Sequence, residues 1–252
     1  MANDIKDKSD KDKEGFGWED IKLTGEQKAR IKKARFFFQP FRLVYTLIIF
    51  SLLGAGPKNF IENKSGLFFS IFFFLVWLVD LVFQPVELGG KREDRGSFFV
   101  LRGAFFTSYS IAIIDHFWLQ PRLWFLDLPG RLWSYILVGA IFVMLGQIMR
   151  LTAIRKLGRF FTYGVRVQDD HRLITSGLYS IVRHPAYTGL LFSGIGFVIM
   201  FKSVPGLFSV IVLGLLALHN RMSIEERALS REFKEEYKEY RKRTKKIIPF
   251  IY

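Results

Sequence analysis

The sequence predicts an all-α protein, a polytopic membrane helix bundle of about six transmembrane helices with a C-terminal amphipathic cytoplasmic helix. Half of the 252 residues are hydrophobic, 28 of them Phe, yet the formal net charge is +14. Neither a disordered chain nor an ordinary soluble domain has that balance. Five or six segments stay apolar over about 16 to 22 residues, enough to cross a hydrocarbon core roughly 30 Å thick at 1.5 Å per residue. The Lys and Arg residues gather between those segments, mostly on one side.

Met1 to Arg35 interleaves lysine and acid, as in "KDKSDKDKE". It lacks the early apolar region of a secretory signal and reads as a solvated tail. In "LTGEQKARIKKARFFFQP", Thr24 is a candidate N-cap with Gln27 three residues on, which predicts a short amphipathic surface helix; a plain basic patch beside the membrane is the alternative. The predicted spans are Phe37 to Ala55, Gly66 to Phe83, Ser97 to Phe117, Leu132 to Leu151, Tyr187 to Phe201 and Pro205 to His219. The last two form a tight hairpin through "KSVPG", and the first of these is short for a full crossing.

With six spans, one side carries 29 Lys and Arg and the other five, Lys58, Lys64, Arg122, Arg131 and Lys202. This asymmetry predicts both termini in the cytoplasm. The basic charge flanks spans and accompanies no nucleic-acid module, so anionic headgroups of the bilayer are the expected partner and nucleic acid is not. There is no cysteine, which removes disulfides and thiolate chemistry, and no glycine-rich phosphate loop, Gly-x-Ser-x-Gly elbow or His-Glu-x-x-His pair. No metal is expected.

An ionisable group within a span calls for a partner or a task. Asp80 and Arg102 fall at similar depth and are expected to pair. Arg42 and Arg150 are expected to snorkel, and Asp115 and His116 to cap the outer end of the third span.

The informative region is two polar clusters separated by the last hairpin: "HRLITSGLYSIVRHPAYTG" and "NRMSIEERALSREFKEEYKEYRKRTKKIIPFIY". A hairpin folded on itself brings Arg183 to Tyr187 level with Arg221 to Glu226. Pro185 suits the first turn of a helix, where its missing N–H is not needed; the neighbouring N–H groups and positive helix end suit a carboxylate. Gly177 is expected to make the turn that aims Tyr179, and Gly189 and Gly194 to admit a backbone or ligand. Glu225 and Glu226 are expected to open the C-terminal helix, with Phe233, Tyr237 and Tyr240 as its apolar stripe. Arg221 and Glu225 lie one turn apart, so by spacing alone they are equally an ion pair or functional groups.

The pattern from His171 to Gly189, His-x-Leu-x-Thr-Ser-Gly-x-Tyr-x-x-x-Arg-His-Pro-x-Tyr-x-Gly, resembles that of the isoprenylcysteine carboxyl methyltransferase family. The second cluster resembles the family's Arg-x-x-x-Glu-Glu helix, Tyr-rich segment and closing "IPFI". Together they cover about the last 95 residues. The resemblance implies S-adenosyl-L-methionine bound at the cytoplasmic membrane face, without the Rossmann fingerprint. It assigns the cofactor to His171, Arg172, Leu173, Ile174, Tyr179, His184, Pro185, Ala186, Tyr187 and Glu225, with backbone contacts expected at Arg172 and Ile174. Arg221 faces the substrate, and Arg221 and Glu225 are the implied catalytic pair. Lys234 stands where the family usually has Gly.

The implied reaction is methyl transfer to a lipid-like or prenylated acceptor, most naturally to a carboxylate. Such a nucleophile is ionised near neutral pH and needs alignment and exclusion of water rather than a strong base. Amine and thiol acceptors are the alternatives, with Glu225 or His184 then taking the proton. An NADPH-dependent membrane sterol reductase and a non-catalytic lipid-binding scaffold are the rival classes. By this division, residues 1–35 are the tail, 36–156 the N-terminal transmembrane helices and 157–252 the cofactor-binding catalytic region.

Overall fold

The computed structural model describes residues 71–72, 76, 91–92, 96–119, 131–161, 166–167 and 172–247. The tail, the first predicted span, all but three residues of the second, Arg42, Asp80, His171 and the closing "IPFI" beyond Ile247 lie outside the described residues. A two-residue antiparallel ladder joins β1 (Lys91–Arg92) to β2 (Arg166–Val167). All longer described elements are helical: α1 (Ser97–Ile114), α2 (Leu132–Leu157), α3 (Pro185–Met200), α4 (Val204–Ser209) and α5 (Leu215–Arg243).

Gly96 starts α1 from a left-handed conformation, φ 79°, which glycine adopts without a Cβ penalty. Ser97, Leu101, Phe105, Ser108 and Ala112 form one buried face, the three- and four-residue spacing of a helix stripe. The other faces remain apolar, with Phe99 and Val100 exposed on α1 and Leu137, Met144 and Ile148 on α2. Apolar side chains turned outward along a whole helix suit a hydrocarbon solvent. Ser97–Phe117, Leu132–Leu157 and Val204–Arg243 are each long and apolar enough to cross a bilayer. The chain is a multi-pass membrane protein.

The closest packing is between α2 and α3. A Cβ on Gly139 would lie 2.5 Å from the Gly196 carbonyl oxygen, and one on Gly196 would lie 2.6 Å from that of Gly139. Seven residues along, Gly146 and Gly189 face each other in the same way, the Gly189 oxygen 2.5 Å from a Cβ on Gly146. Pairing 139 with 196 and 146 with 189 makes the helices antiparallel and places both contacts on one seam. Membrane helices gain little from hydrophobic attraction to each other in lipid, and small residues let their backbones approach. Ser193 adds a hydrogen bond from Oγ to the Val143 carbonyl, 3.3 Å.

α1 lies across the other side of α3. Tyr109 stacks on Phe197 at 4.0 Å between ring centroids, and the Phe105 ring fills the space left by Gly194. The expected tight hairpin follows. Ser203 caps α4 by accepting from the Gly206 N–H, 3.0 Å, and His116 Nδ1 donates to the Phe201 carbonyl at 2.9 Å. His116 thus holds the turn between α3 and α4, and Asp115 beside it is buried. Arg102 lies over the Phe98 ring, 5.3 Å from its centroid; its expected partner Asp80 is outside the described residues.

One expectation is corrected. Glu225 and Glu226 do not open a helix: α4, a π-turn at Val210–Gly214 and α5 run on through both glutamates, and the helix is kinked only at Lys234 before it ends at Arg243. No Gly or Pro interrupts residues 215–243, so nothing stops the helix where charge begins. The stretch from Val204 to the kink at Lys234 is about 45 Å long, more than the roughly 30 Å hydrocarbon thickness, so the charged residues need not lie in lipid. At Lys234 the backbone takes φ 43° and ψ −114°, a conformation costly for any residue with a Cβ.

The seam predicts that Gly146→Ala or Gly196→Ala lowers stability by about 1–3 kcal/mol through overpacking. Gly103→Ala, whose Cβ would meet nothing within 4 Å, should leave stability unchanged or raise it; thermal midpoints in detergent compare the three. Lys234→Gly should raise the midpoint, relieving strain of about 1 kcal/mol or more.

Candidate functional site

The site is assembled from the turn before α3, the first turn of α3, and the middle of α5. Gly177, at φ 65°, turns the chain into a 3-10 segment, Gly177–Ser180, and this buries Tyr179. The Tyr179 hydroxyl donates to the Ala153 carbonyl of α2 at 3.4 Å, and its own carbonyl accepts from the Tyr240 hydroxyl at 2.7 Å. Burial pushes the Tyr179 phenol well above its ordinary pKa, so it is a neutral donor at physiological pH.

Residues 182–184 then run beside the returning C-terminal segment, with a parallel bridge between Val182 and Lys245. The Arg183 N–H donates to Lys245 O at 2.8 Å and the His184 N–H to Lys246 O at 3.0 Å. Thr188 Oγ1 donates to Ile247 O at 2.9 Å. Arg183 also donates to the carbonyls of Arg241 and Thr244, satisfying oxygens that the end of α5 leaves without helical partners.

Pro185 occupies the first turn of α3, as its fixed φ and missing N–H favour. His184, the residue before it, is buried between two carboxylates. Its Nε2 donates to Glu226 Oε1 at 3.3 Å, and its Nδ1 lies 3.8 Å from Glu225 Oε2. Adjacent residues on a helix point about 100° apart, so the two glutamates have different surroundings. Glu226, its side chain 9% exposed, is held by Arg183 Nε at 2.9 Å and by His184, with Lys246 Nζ at 3.9 Å.

Glu225 is 31% exposed. Its Oε2 accepts from the Tyr187 hydroxyl at 2.9 Å, and among the described residues its Oε1 makes no hydrogen bond. Tyr187 in turn accepts from Arg221 Nε at 3.1 Å. One continuous line therefore runs from Arg221 through Tyr187 to Glu225, and the one-turn spacing of Arg221 and Glu225 is bridged by a phenol from α3.

Of the residues expected from sequence, Tyr179, His184, Pro185, Tyr187, Arg221 and Glu225 come together here. Ala186 lies beside them, half-buried. Arg172 is exposed, with Leu173 and Ile174 half-buried on the approach to the Gly177 turn; among the described residues no hydrogen bond joins these three to the cluster. Arg183, Glu226 and Ser97 belong to the arrangement and were not among the expected site residues. The first two have a signal in sequence, a charge at the start of an apolar helix and a second carboxylate beside Glu225. Ser97 has none.

The arrangement offers a partly exposed carboxylate with one open oxygen, a buried guanidinium at its side and a helix start between them. A diol or ammonium suits the first, and a carboxylate the second.

Comparison with known proteins identifies the family. The isoprenylcysteine carboxyl methyltransferase (ICMT) family description matches residues 137–231. A probable protein-S-isoprenylcysteine O-methyltransferase of Oryza sativa subsp. indica is 29% identical over 164 residues, 64% of this chain and 84% of that protein. Protein-S-isoprenylcysteine O-methyltransferase A of Arabidopsis thaliana is 30% identical over 158 residues, 58% of this chain and 79% of that one. A solved structure of a eukaryotic intramembrane Ras methyltransferase, ICMT, aligns at 20% identity and TM-score 0.48, covering 77% of this chain and 67% of the other; the assignment rests on the sequence matches. The chain belongs to the isoprenylcysteine carboxyl methyltransferase family.

Proposed function

We propose that this protein is a membrane methyltransferase that uses S-adenosyl-L-methionine to methylate the carboxylate of a prenylated cysteine at the cytoplasmic face. The observation that carries the reading is the line Arg221–Tyr187–Glu225, which sets a carboxylate-binding cation and an open carboxylate one phenol apart. The names of the relatives point to the same acceptor.

The donor set fits the cofactor. Glu225 Oε1 is placed to accept from ribose hydroxyls, and His184, Pro185, Ala186 and Tyr187 form the wall beside it; Tyr179 and His171 to Ile174 complete the expected pocket. S-adenosyl-L-methionine held there would supply an activated methyl group, with a neutral thioether as its leaving group. No proton is transferred, because the acceptor carboxylate is already ionised. Arg221 presents its planar fork to that carboxylate and aligns one oxygen. Tyr187 holds the Arg221 guanidinium and the Glu225 carboxylate at a set separation. The apolar helices exclude water from the reacting atoms.

The acceptor, carried by its prenyl chain, approaches sideways from the bilayer, while the cofactor comes from the cytoplasm. Six spans with both termini cytoplasmic fit the excess of Lys and Arg on one side. The charged half of α5 then lies on the bundle as a cytoplasmic helix, among anionic headgroups.

Purified protein in detergent should be stabilised by S-adenosyl-L-methionine, by about 2.7 kcal/mol at a hundredfold excess over Kd, and not by NADPH. Stabilisation by NADPH alone would overturn the methyltransferase reading. Glu225→Ala should lose the cofactor-dependent stabilisation. Arg221→Ala should keep it and lower methyl transfer to a prenylated cysteine about a hundredfold; unchanged turnover would remove Arg221 from the acceptor site.

A further inference from the structure

Resting on that proposed function, we infer that Ser97, the first residue of α1, is a positioning residue for Arg221, so that α1 as well as α5 builds the acceptor-carboxylate subsite. Ser97 is 2% exposed and Arg221 3%. Arg221 Nη1 donates to Ser97 Oγ at 2.8 Å across 124 positions of sequence. This is a charge-assisted bond between buried groups, the class whose loss is felt most.

Gly96 caps α1, with no side-chain cap bond, and Ser97 follows as the first helical residue. Its buried hydroxyl reaches Arg221 on α5, and a buried hydroxyl needs a polar partner.

The consequence is geometric. Arg221 Nε is bonded to Tyr187 and Nη1 to Ser97. Bonds on two different nitrogens of a planar group fix its plane. A serine hydroxyl orients the cation without cancelling its charge, as a carboxylate would. An acceptor carboxylate thus meets a guanidinium whose plane is already set, which lowers the ordering cost of binding. Ser97 lies outside residues 137–231, which match the family description, so it comes from the part of the chain that carries no family motif.

The test uses the full chain in detergent, with N-acetyl-S-farnesylcysteine as acceptor. Ser97→Ala should raise the acceptor KM about tenfold, with cofactor affinity at the wild-type value, and Ser97→Thr should restore KM. In an Arg221→Ala background, Ser97→Ala should have no further effect on KM. If Ser97→Ala does not fold, Ser97→Cys, which keeps the volume but accepts weakly, should raise KM. A wild-type KM in Ser97→Ala or Ser97→Cys, or cofactor affinity falling in step with acceptor affinity, would overturn the role of Ser97 alone. A wild-type protein that transfers no methyl to this acceptor would overturn the proposed function and the Ser97 role together.

Discussion

Four glycines set the position of almost everything else described here. Gly139 and Gly146 on α2 meet Gly196 and Gly189 on α3 at distances that admit no Cβ. The two contacts are seven residues apart on each helix, so α3 can neither slide nor rotate against α2 without losing both. Lipid offers no strong hydrophobic drive for such pairing, and close backbone contact takes its place. Because α3 is fixed, so is its first turn, where Pro185 and Tyr187 stand, and so is the preceding turn, whose Tyr179 bonds back to α2.

Against that fixed edge the helix that runs on from Val204 presents two adjacent glutamates with different work. Glu226 is enclosed by Arg183 and His184 and ties that helix to the turn. Removing one partner of such a buried pair typically costs about 3–5 kcal/mol, since the remaining charge stays buried. Glu225, one residue earlier, faces Tyr187 with an oxygen open. The returning segment, residues 244–247, closes the arrangement by accepting from the N–H groups of Arg183 and His184. The clamp on Glu226 leaves Glu225 partly exposed, bonded to Tyr187 through one oxygen.

The parts legible in sequence are those that local chemistry dictates. Apolar length set α1 and α2 to within a few residues at their starts, and Pro185 marked the start of α3 because a residue without an N–H fits the first turn. The tight hairpin was readable from the five residues Lys202 to Gly206. Lys234 is the sharpest case: the sequence resemblance leads one to expect Gly there, and the backbone takes φ 43°, a conformation glycine bears without strain. The misread helix start at Glu225 has the same local origin. A run of acids resembles a first turn, but without a breaker before it the helix has no reason to begin there.

The sequence by itself determined the membrane class, the facing of two polar clusters across the last hairpin, and six of the residues that now stand together. Those properties depend on neighbours in the chain: apolar length, helix period, proline and glycine chemistry. Only the tertiary structure decided which glutamate clamps and which stays open, that a phenol bridges Arg221 to Glu225, and that Ser97 reaches the guanidinium. A hydroxyl 124 positions away leaves no periodic trace, because its partner is chosen by how α1 crosses α5 and not by spacing along the chain.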